Sequence, residues 1–324
     1  MSDLFTATTA AQVEEALAKG EDIEQLEQVL FDGEGKLIKE EEMDDETKMM
    51  TAEEFTMKPL TSACYRGELE VVDCLLNHGA DPNLYPEEFW VPLHWASHSG
   101  HAAIVERLIK AGANINSNQG GEENDTPLII ASREGHVDVV DCLLSHGADI
   151  EATASKSLTA LMKSSRSGMI DVVDRLLAAG AKVNALTDRG TTALILACAG
   201  GHVPIIDRLV VHGSDFHHRT ELSGKNALIV ASECGRVKAV DRLLSLGCDP
   251  NVQDFEGWTA LMWACFHRET DVARLLLDHG ADPLICNVDG KRAIDLVPAS
   301  SPEIQTLLNG LILLSFHHRH HHVP

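Results

Sequence analysis

The chain has 324 residues, 44% of them hydrophobic, and a formal charge of −24, which suits a folded acidic protein and disfavours a basic groove for phosphate backbones. No stretch reaches the roughly 18–20 apolar residues of a membrane span, and the opening MSDLFTATTA lacks the basic-then-apolar order of a secretion signal. A cytoplasmic or nuclear address is therefore expected, with neither nucleic acid nor membrane as a partner.

In chain order, residues 1–23 read as a shortened capping unit. Its LFTATTAAQVEEALAKG stretch has the polar outer face that the end of a stacked array requires. Residues 24–56 form an acidic insertion that includes KEEEMDDETK. Residues 1–57 hold 17 Asp or Glu against 4 Lys, a net −13. The insertion has too few apolar residues to pack by itself, so it is expected to be either a solvated linker or a partly helical flap.

From residue 57 to 290 one period governs the chain. Glycines that follow a Leu-Leu pair or its equivalent fall at Gly79, Gly112, Gly147, Gly180, Gly213, Gly247 and Gly280, spaced 33, 35, 33, 33, 34 and 33 residues apart. A fixed period of this length marks a stacked array, because one such unit cannot bury its apolar face alone. In TPLIIASREGHVDVVDCLLSHGADI the pattern predicts two short helices, Thr126 to Glu134 and Asp138 to Ser145. Thr126 is placed to accept from a free amide, and Pro127 supplies a preset φ where no donor is needed. Gly135 and Gly147 stop the two helices. Val139, Val140, Leu143 and Leu144 make the stripe that the next unit must cover.

Residues 291–311 read as a closing cap, with Ala293, Ile294 and Leu296 packing inward and Leu307 and Leu308 on a second helix. Residues 312–324 are a tail in which HHRHHHVP gathers five of the 17 histidines. A disordered tail is expected there and no metal site. Of the eight cysteines, Cys64, Cys198 and Cys265 share one repeat position and Cys74 and Cys142 another, with no C-x-x-C pair. Buried reduced thiols are expected.

The segments VPLHWASHSGHAAIVERLIKAGANIN and TPLIIASREGHVDVVDCLLSHGADI resemble the ankyrin consensus, in which T-P-L-H-x-A opens the first helix and G-A-D-x-N opens the hairpin. The resemblance covers roughly residues 58–311. It implies an all-α ankyrin-repeat solenoid of helix-turn-helix units with β-hairpin loops, its first helices and hairpin tips lining a concave face. The chain departs from the pattern in three places. Only the second unit keeps P-L-H (Pro92, Leu93, His94), and the fourth places Lys163, Ser164 and Ser165 at apolar or small positions. The seventh has Arg268 where others have the interhelix glycine.

No phosphate loop, H-E-x-x-H, G-x-S-x-G or dinucleotide fingerprint occurs, so no enzymatic activity, cofactor or metal is expected. His78, His146, His212 and His279 precede the helix-two glycine, where a histidine favours the helix dipole. Asp81 and Asn83, Asn114 and Asn116, and Asp249 and Asn251 sit in turns, where side chains bond back to local backbone. In the family such turn asparagines can be hydroxylated, which makes Asn83, Asn116, Asn184 and Asn251 candidates.

By the same resemblance, partner binding falls to residues that the stack does not need: Glu87, Glu88, Trp90, His98, Arg133, Glu134, Arg166, Arg189, Glu233, Phe255, Trp258, Phe266 and His267. All four tryptophans fall in two matched pairs, Trp90 with Trp95 and Trp258 with Trp263. Exposed aromatics suit interface anchors. Trp90 and Trp258 are the anchors expected, whereas Trp95 and Trp263 occupy positions usually leucine, where partial core packing competes. GWTALMWAC and LHWAS also resemble the ankyrin repeats of euchromatic histone lysine methyltransferases, in which tryptophans and a glutamate cage methyl-lysine. Here the pairs lie five units apart and the glutamate position reads His98 or Phe266.

The expected function is a non-enzymatic, monomeric protein–protein interaction scaffold for a basic or extended protein partner. The alternatives are an adaptor or assembly chaperone linking a substrate to a larger complex such as a ubiquitin ligase, and a methyl-lysine reader.

Overall fold

A computed structural model describes residues 10–19, 30–31, 37–38, 59–84, 90–119 and 123–310. The chain divides into two compact units, Met1–Ser155 and Lys156–Pro324. The tail at 312–324 and most of the insertion at 24–56 lie outside the described residues.

The first unit holds α1 (Ala10–Ala18), β1 (Leu30–Phe31), β2 (Leu37–Ile38) and three helix pairs. The pairs are α2 (Pro59–Arg66) with α3 (Leu69–Asn77), α4 (Pro92–His98) with α5 (Ala102–Lys110), and α6 (Pro127–Glu134) with α7 (Val137–Ser145). Helix α1 packs on α3, as the end cover of a stack should. β1 and β2 pair antiparallel, Leu30 opposite Ile38 and Phe31 opposite Leu37, which corrects the helical reading of the insertion at these residues. The signal was present in the sequence: Asp32-Gly33 and Gly35 stand between LF and LI, a hairpin composition.

The second unit holds α8 (Ala160–Ser167) with α9 (Ile170–Ala178), α10 (Ala193–Gly200) with α11 (Val203–Val211), α12 (Ala227–Glu233) with α13 (Val237–Ser245), and α14 (Ala260–His267) with α15 (Thr270–Asp278). Its last repeat-like segment opens with a single 3-10 turn, Ala293–Leu296, followed by a helix at residues 302–310. Ala293, Ile304 and Leu308 are buried there, while Ile294, Leu296 and Leu307 are half-buried.

Each first helix starts for a local reason. Thr126, Thr159, Thr192 and Thr259 accept a backbone N–H three residues on, at 3.3–3.4 Å, and Asn226 does so at 2.9 Å. The second repeat has Val91 at this place and no side-chain cap. Gly135, Gly168 and Gly201 end their helices in the left-handed conformation. Arg268 takes the same conformation at φ 67°, with the steric penalty of a Cβ. Val139, Val140 and Leu143 are fully buried, and so are their counterparts Ile206 and Leu209, Val240 and Leu243, and Val272 and Leu276. Each such side chain contributes about 1.5–3 kcal/mol by leaving water.

Neighbouring repeats are tied by polar groups at fixed repeat positions. His101, His136 and His202 place Nε2 on the carbonyls of Tyr65, His98 and Arg166 at 3.2, 2.8 and 3.1 Å. A Cβ on Gly100 would come within 2.7 Å of the His136 ring, so that glycine serves close approach as well as its φ of +80°. The turn residues divide their work. Asp81, Asn114 and Asp249 accept locally from the amide two residues on. The asparagines that follow do not bond locally: Asn83, Asn116, Asn184 and Asn251 each accept the backbone N–H of Asn114, Asp149, Asp215 and Asp282 in the next repeat. His78, His146, His212 and His279 cap their second helices, Nδ1 lying 2.8–2.9 Å from the carbonyl four residues back.

In the second unit each hairpin is closed by a backbone bond across it, from Thr187 to Thr191, Thr220 to Lys225, Asp254 to Trp258 and Asn287 to Lys291, and by a second from the turn glycine back to the same first residue. Successive tips are joined by one more, as in Phe255 N–H to Ser223 O and Val288 N–H to Glu256 O. On the second helices, Arg107 pairs with Asp73, Arg208 with Asp174 and Arg242 with Asp207, one repeat back. Pairs this exposed are worth about 0–1 kcal/mol each.

Candidate partner-binding faces

In the first unit, the residue before the α4 cap and α4 itself gather four rings. Trp90 meets Trp95 edge-on with centroids 5.0 Å apart, stacks on His94 at 6.2 Å and meets His98 at 5.5 Å. Tyr65, from α2 of the preceding repeat, meets Trp95 edge-on at 5.2 Å. Such edge contacts add about 0.5–1.5 kcal/mol beyond burial. His98 Nδ1 lies 3.6 Å from Glu134 Oε1. Arg133 donates to Glu134 at 2.8 Å and to the buried Asp125 at 2.7 Å, so both residues brace the neighbouring helix as well as edging the aromatic patch.

The second unit repeats the arrangement on α14. Trp258 and Trp263 lie 4.5 Å apart, and Phe266 meets them edge-on at 5.6 and 6.4 Å. His267 stacks on Trp263 at 5.9 Å. Asp254, buried in the hairpin, organises the cluster: it accepts the amides of Glu256 and Trp258 and the indole Nε1–H of Trp263 at 2.9 Å. Lys225 places its Nζ 3.6 Å over the Trp263 ring and 2.7 Å from Glu233. Phe266 and Phe255 remain exposed, and Arg219 lies over Phe255 at 5.4 Å.

The two clusters thus gather Trp90, His98, Arg133 and Glu134 in one unit, and Glu233, Trp258, Phe266 and His267 in the other. No described side-chain contact joins Arg166 or Arg189 to either cluster; both are exposed on the second unit. Glu87 and Glu88 lie outside the described residues. The expected contrast between inner and outer tryptophans is absent: all four are half-buried, and each pair packs as a unit. Tyr65, Lys225 and Asp254 belong to these patches and were not singled out from sequence, whereas Trp95 and Trp263 were noted there as partners of the outer tryptophans. The signal for Lys225 was its place before the helix cap, where the second and seventh repeats carry Trp90 and Trp258.

All eight cysteines are free. Burial pushes the thiols of Cys64 and Cys198 far up and that of Cys265 up to about 12, leaving them poor nucleophiles. Among the described residues no group of three or more His, Cys, Asp or Glu is arranged to hold a metal, and no helix is long and apolar enough to cross a membrane.

Comparison with known proteins places this geometry. A family model for three consecutive ankyrin repeats matches residues 16–119, 93–187 and 161–254, and a single-repeat model matches 256–288. The ankyrin repeat domain of human ASB11 is similar in structure, with a TM-score of 0.60 and 28% identity over 68% of this chain and 96% of that one. Two curated relatives share a 53-residue stretch, 16% of this chain. They are the palmitoyltransferases AKR1 of Debaryomyces hansenii, at 38% identity, and of Candida albicans, at 32%. The chain spans 6% of the length of each.

Proposed function

Because the chain belongs to the ankyrin-repeat family, whose repeats are protein-interaction domains, we propose that it is a non-catalytic, monomeric scaffold that holds a protein partner through its two aromatic patches. The observation that carries this reading is the repetition of a half-buried ring cluster at one repeat position, Trp90 with Trp95 and Trp258 with Trp263. Elsewhere that helix position holds Ser62, Ile130, Lys163, Leu196 or Val230, so the stack itself does not demand tryptophan. Large rigid rings at a rim between core and water anchor interfaces at low entropic cost. The acidic chain, at −24, favours a basic partner segment by long-range attraction.

The test is affinity capture from cell extract with the intact chain, Trp90→Ala, Trp258→Ala, and a chain lacking residues 24–56, each checked for native helicity by circular dichroism. The anchor reading expects each tryptophan variant to weaken a captured partner by about thirtyfold or more, as hot spots do. A partner lost only with the insertion would move the docking motif there and overturn the proposal.

A further inference from the structure

In the second unit the face of Trp263 is already occupied, and by a cation of the chain itself. Lys225 comes from the hairpin before α12, 38 residues earlier in sequence. Its ammonium sits 3.6 Å over the indole and 2.7 Å from Glu233. The ring beneath is held in register by the Asp254 carboxylate on its Nε1–H and by Trp258 at 4.5 Å. Phe266 stands exposed beside the pair. An oriented indole face, a carboxylate counter-ion and flanking rings together form a cation seat.

Resting on the interaction-scaffold reading, we infer that this seat receives an arginine side chain of the partner, and that Lys225 is an internal competitor which sets the threshold an incoming cation must exceed. Exchanging one ammonium for another gains nothing, because the incoming lysine recovers only what Lys225 gives up. A guanidinium gains more: it stacks flat on the indole, is more weakly hydrated and presents a planar fork to Glu233. Displaced Lys225 gives up its contacts with Glu233 and Trp263 and regains water around a side chain that keeps only 18% of its exposure in the seat. The seat therefore accepts any cation weakly and a guanidinium selectively. The chain's acidity brings basic segments to it, and only a group that outcompetes Lys225 stays.

The probes are hexa-arginine, hexa-lysine and hexa-citrulline peptides titrated against the full-length chain by calorimetry at physiological salt. The change in the ratio of arginine to lysine affinity between variants is the readout, because whatever preference the carboxylates elsewhere on the chain have is common to all of them. The intact chain is expected to prefer hexa-arginine to hexa-lysine by about fivefold and to bind hexa-citrulline weakest. Lys225→Met removes the same competition from both peptides, so it should raise the affinity for each. Trp263→Leu places at this position the residue that the fifth repeat carries as Leu196, so the fold tolerates it. That change should lower the ratio to the level set by the carboxylates alone. A ratio unmoved by Trp263→Leu, or hexa-lysine binding weakened by Lys225→Met, overturns the inference. If Trp258→Ala still costs capture of the cellular partner while the ratio ignores Trp263→Leu, only this inference fails. Capture indifferent to both tryptophan variants sinks the scaffold reading beneath it.

Discussion

His94 gives the chain an acid sensitivity whose size follows from its burial. The residue is fully enclosed in the second repeat and places Nε2 3.0 Å from the carbonyl of Asp125 in the third. That bond requires a proton on Nε2, and a second proton on the ring would have to be carried inside the stack. Burial accordingly lowers the pKa from 6.5 to about 4, against a smaller upward pull from the Asp125 carbonyl. Between those two values the unfolded chain binds the proton and the folded chain does not. The contribution is therefore complete above pH 6.5 and is lost as pH falls toward 4. The loss is about 1.4 kcal/mol per pH unit inside the window, or about 2 kcal/mol between pH 7 and pH 5. Urea unfolding followed by far-ultraviolet circular dichroism, at both pH values, in the wild type and in His94→Leu, measures it. The variant loses baseline stability with its bond to Asp125, but its drop on acidification should be smaller than the wild type's by about 2 kcal/mol. Equal drops in the two proteins would refute the argument, since other titrating groups are common to both.

Three further changes have defined signs. Arg268→Gly removes the Cβ from a left-handed helix end at φ 67° and should raise thermal stability by about 1 kcal/mol, read as an increased melting temperature. Asp254→Ala leaves the amides of Glu256 and Trp258 and the Trp263 indole without their shared acceptor; a loss of about 3 kcal/mol in denaturant titration is expected, with a red-shifted tryptophan emission. Ser132 is fully buried with no partner for its Oγ, so Ser132→Ala should stabilise by about 1 kcal/mol; a destabilised variant would show that the hydroxyl is bonded after all.

The repeat was readable because its boundaries are written in residues with few alternatives: Thr126, Thr159, Thr192 and Thr259 as caps, and Gly135, Gly168 and Gly201 as stops. The all-α ankyrin architecture followed from them. Arg268 was legible as a departure, though that it keeps the glycine's conformation was not, since sequence gives the residue and not the φ. Local reading explained Asp81 and Asp249 and missed the reach of Asn83, Asn184 and Asn251 into the next repeat, because the amides they accept from lie 31 residues away. The same limit hid the roles of His101, His136 and His202, although the G-H pairs recur visibly. For the candidate faces, periodicity pointed to Trp90 and Trp258 and left Trp95 and Trp263 open between core and surface. A repeat position describes an average side chain, whereas two indoles that touch are buried by each other. Lys225 over Trp263 was invisible for a related reason: a cation and a ring are paired by the stacking of two repeats.

The asparagine and histidine links reach one repeat and stop. Copying or excising a whole repeat inside either unit would therefore bring each orphaned donor to a new acceptor of the same kind, much as a zip can be lengthened tooth by tooth. The fourth repeat, with Met169 at the histidine position, and the seventh, with Glu269 there, break that interchangeability. Gene duplication or laboratory splicing should be tolerated best between the caps of the fifth and sixth repeats, where His202 and Arg236 both bond a carbonyl of the preceding first helix.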